Sequence, residues 1–600
     1  MRIFFALVLF SSIAFSNQIV VTDADIVGDV NWTNNNTYLV DKFIYVESGE
    51  SLTIEAGTIV KFKPGIGTEA SGIIVSNGGK IFAQGTSQAP IIFTSEFDDP
   101  ENPLDLDLDI TGLWSGIIIC GNAPTNIDEA FKANVIEGFP ANDQRVVFGG
   151  DASDDNSGVL EYVSIRYTGT GWAPDIENNG LTLAGVGSGT TLRFIEVLNG
   201  LDDGIEFLGG TAEVQCAGSF FCDDDAFDYD AGFNGKGQFW CGIAGINSGD
   251  NGGEFDGGYM DDSAQPYAIP TISNITLLGS YNDGSTGLRI RDNAGGKIYN
   301  SIIMNFEDGL IDIESNEREQ NSKIRLDEGD LEIKNSIFYN EGVGDLSEVI
   351  ANRSEEIRDD LVAYLSNNSN LATDPLLQQT NLNEALDLNP GLGSPALNSF
   401  EDPGDDFFQN VNFIGAFGPG VDCFADWSAL EDLGYTDPFE SEKTIGEIED
   451  IEIQKRDGNI IYAGNERIQI MPNTEIYRND SRIEYSDLNE NDVLDVDYDR
   501  VTVNRENRSD YFLMARVINV ESTSSIIEKE FKVFASNNIL NINSINNYDN
   551  IIVNIYDGLG KNIFKNEFRN NNILIDINSN NLLLVEIIYS DKTEIHKIIN

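Results

Sequence analysis

The chain runs to 600 residues, 41% of them apolar, with a formal net charge of −64. That apolar share excludes a disordered polymer, and the length exceeds one ordinary core, so several domains are expected. A surface this acidic repels phosphate backbones and anionic lipid, which argues against nucleic-acid and membrane-surface binding while suiting divalent cations.

Residues 1–16 read as a secretory signal. Arg2 supplies the positive end, Ile3 to Phe10 the apolar run, and Ala14-Phe15-Ser16 a small-x-small cleavage site. No later stretch is long and apolar enough for a transmembrane segment. The expectation is export through the inner membrane, followed by residence on the outer-membrane surface or secretion.

Residues 17–436 carry a degenerate repeat of short strands. Gly180-Leu181-Thr182-Leu183 is followed 24 residues later by Gly204-Ile205-Glu206-Phe207. Gly287-Leu288-Arg289-Ile290 is followed 22 residues later by Gly309-Leu310-Ile311-Asp312-Ile313. In each, alternate side chains share one face. Asn precedes apolar strands at Asn274, Asn300 and Asn335, and Asn tolerates the left-handed backbone of a sharp turn. Such spacings suit one coil of a solenoid and are too short for a propeller blade. The fold class expected is therefore all-β, a right-handed parallel β-helix. Leu346, Val349 and Ile350, then Ile357 and Leu361, have helical spacing, which places a helical excursion at about 341–370.

Residues 437–450 are acidic and polar and read as a linker. Short strands between turns then suggest a small β-barrel-like domain over 451–528. The Asn-rich, strand-rich segment 529–600 suggests a C-terminal β-sandwich.

The five cysteines leave at least one unpaired within the chain. Cys216, Cys222 and Cys241 are close enough in sequence for one bridge, with Cys222–Cys241 the favoured pair, or for buried free thiols. Cys120 ends the apolar run Ile117-Ile118-Ile119 and is assigned to the core.

The segments "NTYLVDKFIYVESGESLTIEAGTIVKF", "GIIVSNGGKIFAQGTSQAPIIFTS", "LWSGIIICGNAP", "NNGLTLAGVGSGTTLRFIEV" and "NFIGAFGPGVDCFADW" resemble a family of exported β-helix proteins of Bacteroidota. That resemblance covers roughly residues 35–430 and implies fold and export but no catalytic activity. The C-terminal "VNIYDGLGKNIFKNEF", "NNNILIDINSNNLLLVEI" and "HKIIN" resemble a type IX secretion sorting domain. "VFASNNILNINS" stands where a proline-rich opening is usual, and Asn581-Leu582 where a Gly-containing turn is usual. This second resemblance implies the type IX secretion machinery as a partner.

Clustered carboxylates are the conspicuous chemistry. Asp151, Asp154 and Asp155 share one loop, Asp202 and Asp203 lie in "NGLDDGIEF", and Asp223, Asp224, Asp225, Asp228 and Asp230 form the densest group. Ca²⁺ takes six to eight oxygens, which Asp-rich turns supply. A bound cation would also relieve repulsion among neighbouring carboxylates. These ten residues are the candidate calcium ligands, against the alternative of a solvated acidic face. Asp105, Asp107 and Asp109 would share a strand face, and there the solvated reading is preferred.

Paired carboxylates could also serve glycosidic bond cleavage. "LDDG" and Arg289-Ile290-Arg291 resemble the acidic pair and basic motif of pectin-degrading hydrolases. Those enzymes also use a histidine, and the one histidine here is His596. No catalytic residue is therefore assigned. Trp172, Tyr229, Phe233, Trp240 and Tyr259 offer rings for sugar stacking or for packing of loop against coil. The function expected is a noncatalytic secreted or cell-surface protein, adhesive, structural or binding extracellular polysaccharide and surface glycans. The alternatives are a polysaccharide-active hydrolase or lyase and a functional calcium-binding protein.

Overall fold

The structure is a computed structural model. It describes residues 17–520 apart from 108, 128–134, 172–175, 259–260, 437–439, 464–465, 479–480, 484, 491 and 506–507, and beyond them 531–536, 539–544, 551–556, 562–568, 572–576, 582–589 and 592–599. The signal segment, Trp172, Tyr259 and Asn581 lie outside the described residues.

Every strand pairing within 17–372 is parallel among the named strands, and each strand pairs with one contributed by the next turn of chain. One sheet has nine strands: Phe43–Val46, Gly72–Val75, Ile117–Cys120, Leu181–Ala184, Ile205–Leu208, Phe227–Asp230, Asn251–Asp256, Thr286–Arg291 and Gly309–Ile313. The two remaining flanks of each coil merge into a 17-stranded sheet. This is the parallel β-helix that the strand repeat implied.

The merging has a local cause. Gly158–Arg166 pairs with Lys80–Gln84 through its first half and Ile91–Ser95 through its second, bending at Tyr162 with φ +50°. The equivalent bends on later coils are Phe194, Cys216, Phe239, Asn274, Asn300 and Asn335, all with φ between +50° and +61°. L-residues resist this left-handed region, so neighbours must hold it. Tyr162 and Phe194 stack with centroids 4.3 Å apart. Asn335 Nδ2 donates to Asn300 Oδ1 at 2.7 Å, and Asn300 Nδ2 to Ser273 Oγ at 2.9 Å. The Asn residues marked in the sequence therefore form one corner of the helix.

Inward side chains of all coils make one continuous core, from Val21 to Leu430. Its centre is aromatic: Phe207 stacks on Trp240 at 5.2 Å and on Phe233 at 4.6 Å, and Tyr229 on Phe255 at 4.3 Å. Tyr229, Phe233 and Trp240 are buried, so packing claims the rings considered for sugar stacking.

After the last coil the chain turns back along the outside of the large sheet. Gly415 N donates to Asn300 O, Ala416 N to Thr276 Oγ1 and Ala429 N to Glu196 Oε1. Cys423 on this strap bonds to Cys216, with Cα atoms 5.5 Å apart. The favoured Cys222–Cys241 pair is thus corrected: both are buried free thiols, as is Cys120. A partner 207 residues away in sequence cannot be found from local spacing.

The helical excursion is present as Arg358–Asn367. The expected linker is corrected, because Glu440–Asp457 is one long strand. That strand pairs with Val493–Arg505 and Ile460–Ala463. Val493–Arg505 pairs with Arg508–Val520, that strand with Glu466–Arg478, and Glu466–Arg478 with Ile460–Ala463, which closes the ring. The segment is a mixed sheet, since the Glu466–Arg478 pairing with Arg508–Val520 is parallel. Further on stand an antiparallel three-stranded and an antiparallel four-stranded sheet.

The mixed sheet docks on the β-helix through polar side chains. Gln469 donates to Asp105 Oδ2 at 2.6 Å and accepts from Asn102 Nδ2 at 2.8 Å, and Arg467 pairs with Asp99. Asp105 is therefore buried, contrary to the solvated reading, and none of the described residues among 105–109 lies in a strand; Asp107 and Asp109 are exposed.

Candidate functional site: an acidic sheet face and corner

Along the nine-stranded sheet the outer face changes character. On the early coils it carries Tyr45, Ile74 and Ile118, packed beneath Ile136, Phe139, Val146 and Phe148. From the fourth strand onward the same register positions read Thr182, Glu206, Asp228, Glu254, Arg289 and Asp312. Two residues further along their strands lie Asp230, Asp256 and Arg291. Adjacent coils are about 4.8 Å apart, so each carboxylate meets the next.

At the corner entering this sheet a second ladder forms. Asp203 accepts the amide of Asp225 at 2.9 Å, and Asp225 accepts the amide of Asn251 at 2.6 Å. Asp202, Asp224 and Asp250 precede them in sequence, one on each coil. Two carboxylate triads result: Asp202, Asp203 and Asp224, then Asp224, Asp225 and Asp250, with one oxygen per residue within 4.8 Å of the others. Asn251 lies beside the second triad, its Nδ2 donating to Asp250 at 3.2 Å. Its Oδ1 is buried with no hydrogen-bond partner among the described residues.

Burial and mutual repulsion raise these acids together. Asp202 is pushed up to about 7, first by burial and then by Asp224 and Glu177. Glu206 is raised to about 8, by burial and then by Asp202 and Asp230. Asp203, Asp225 and Asp228 rise well above the carboxylate range for the same reasons. Asp256 is raised to about 8 by burial, against the pull of Arg291. Asp230 rises to about 6 through burial. Arg291 bonds Asp256 at 2.8 Å, and Arg289 bonds Glu254 at 3.2 Å, so both cations are engaged at this end of the face.

The ten sequence candidates therefore divide. Asp202, Asp203, Asp224 and Asp225 meet at the corner, and Asp228 and Asp230 stand on the adjoining sheet face. Asp223 turns away and accepts from Thr111 Oγ1 at 3.0 Å. Asp151, Asp154 and Asp155 sit on a separate loop, the first two exposed and the third accepting from Ser157 Oγ, and belong to neither triad. Glu206, Glu254, Asp250 and Asn251 were missed. The available signal was alternation: in "GIEF", "FDYD" and "GGEFD" an acid sits at each outward position next to an inward aromatic residue.

The donor set suits a hard divalent cation. Each triad offers carboxylate oxygen from three residues, and Asn251 Oδ1 adds an uncommitted neutral oxygen beside the second. Water or a ligand's oxygens would complete the shell. No curated protein matches the chain. The profile of a family described as a pectate-lyase-like β-helix domain matches residues 24–374, covering all nine strands of the acidic-faced sheet. With more than half its length so matched, the chain belongs to the pectate-lyase-like β-helix family.

Proposed function

We propose that this is an exported, noncatalytic β-helix protein that binds extracellular polysaccharide or surface glycans through calcium held at the Asp202–Asp250 corner. The observation that carries the reading is the pair of triads sharing Asp224, with buried acids that are costly to ionise without a cation. The adjoining ladder of Glu206, Asp228 and Glu254 extends the acidic surface over three coils, long enough to follow a chain of sugars. The N-terminal signal and the resemblance of the C-terminal segment to a type IX sorting domain support delivery to the outer surface. The closing strands, in two antiparallel sheets, suit the sandwich such a domain would form.

Cation-dependent binding predicts two results. Millimolar calcium raises the melting temperature of the mature chain, because it binds the native state alone. The protein is then retained on an immobilised acidic polysaccharide in calcium, released by chelator, and yields no new reducing ends or unsaturated products. Absence of both the thermal shift and the retention would remove the proposal.

A second reading is cleavage of the polysaccharide. It is favoured by the raised acids Glu206 and Asp256, which remain protonated near neutrality as a general acid must. Ladder neighbours about 4.8 Å apart also approach the carboxyl spacing of retaining glycosidases. Sugar release abolished by Glu206→Gln or Asp203→Asn would establish this reading over the first.

A further inference from the structure

On the side of the molecule covered by the returning strap lies a cavity of about 470 Å³. The sheet contributes Ile243 to its lining, and the strap contributes Leu388, Phe417, Phe424 and Leu430. Phe417 and Phe424 face each other with centroids 6.0 Å apart and rings inclined by 47°. The carboxylates Asp387, Asp422 and Glu431 also line it, and no Lys, Arg or His is among its lining residues. The strap is pinned beside it by the Cys216–Cys423 bond and by Leu386 N donating to Tyr435 O. These walls are therefore fixed before any ligand arrives.

We propose that this cavity binds a hydrophobic small molecule carrying a protonated amine. Its size is that of small-ligand sites, which are mostly apolar with a few placed polar groups. Aromatic rings attract ammonium groups through their quadrupole, and carboxylates do so by charge. Here both line the same space, and its lining residues include no cation. Partial burial, with Asp387 and Asp426 nearby, raises the Asp422 carboxyl, and an ammonium beside it would reverse that shift. A neutral or anionic head would offer Asp387 and Asp422 no opposite charge. The site is distinct from the acidic corner, since Asp202, Asp203, Asp224, Asp225 and Asp250 take no part in its lining.

The test uses the full chain and three fluorescent probes with one aromatic body: dansylcadaverine, neutral dansylamide and anionic dansylglycine. Dansylcadaverine is expected to bind saturably at one site, about tenfold more tightly than the neutral probe. Asp422→Asn keeps the oxygen that accepts from Phe424 N at 3.0 Å while removing the charge. It is expected to weaken dansylcadaverine about tenfold and leave dansylamide unchanged. Leu388→Arg, which introduces a cation into the wall, is expected to abolish dansylcadaverine binding. Asp107→Asn, exposed and outside both the cavity lining and the acidic face, is expected to leave dansylcadaverine binding unchanged. Equal affinity for the three probes, full binding in Asp422→Asn, or loss in Asp107→Asn would overturn the proposal. The probe preference is read on the parent protein, so it stands even where a variant fails to fold.

Discussion

Glu206 stands where two demands conflict. Its strand needs Ile205 and Phe207 inside, which fixes Glu206 outside, in register with Asp228 on the next coil. There it accepts from Asn179 Nδ2 at 2.6 Å but is raised to about 8 by burial and by Asp202 and Asp230. Ionising it therefore costs the native state free energy. Glu206→Gln is expected to stabilise the cation-free protein by about 1 kcal/mol at pH 8, read by chemical denaturation, since it removes a disfavoured charge and retains an acceptor. The same change is expected to weaken a calcium-induced thermal shift. A loss of stability without calcium would show that the Asn179 bond outweighs the repulsion.

Each coil depends on its corner. At Asn300 the backbone sits at φ +54°, and the side chain joins Ser273, Asn335 and the carbonyl of Glu401 on the strap. Asn300→Ala removes the bonds and keeps the strain, and is expected to cost about 3 kcal/mol in denaturant unfolding. Asn300→Gly relaxes the backbone and should cost about 1 kcal/mol less than the alanine. Equal losses would mean that the hydrogen bonds alone carry the corner. The corner also shows how register is chosen. The 22-residue spacing of Gly287 and Gly309 suggests that Leu288 matches Leu310, yet Leu288 pairs with Ile311. A slip of one residue would have sent Ile290 against Asp312 and put that carboxylate in the core. Burial overrode the glycine marks and set Arg289 beside Asp312 instead.

Across the whole molecule the raised acids make stability depend on pH. Asp202, Asp230, Glu206 and Asp256 have folded values from about 6 to about 8, above the ordinary carboxylate value of about 4. Between those limits the native state holds more protons than the unfolded chain, so stability must fall as pH rises. The cation-free protein is expected to melt at progressively lower temperature from pH 5 to pH 8, and calcium to flatten that decline. A melting temperature that rises over this interval would contradict the site's electrostatics. The mixed sheet is held to the β-helix by Arg467 on Asp99 and Gln469 on Asp105. Arg467→Ala leaves Asp99 buried without its cation and is expected to cost about 3 kcal/mol. Limited proteolysis within 437–450 should accelerate in that variant if the two parts loosen.

The sequence alone determined the solenoid, its Asn corner and the helical excursion, because these rest on local alternation and on backbone preference at single residues. It also placed Asp202, Asp203, Asp224 and Asp225 among candidate ligands, since adjacent acids are conspicuous in a row. Tertiary structure alone decided which carboxylates meet. Asp250 joins Asp224 only when one coil stacks on the next, and Asp151, Asp154 and Asp155 fall elsewhere. The Cys216–Cys423 bond, the burial of Asp105 and the cavity beneath the strap likewise depend on chain that returns after hundreds of residues. In a solenoid, contact along the axis is set by coil length, and coil length varies with every loop, so partners on adjacent coils cannot be counted off along the chain.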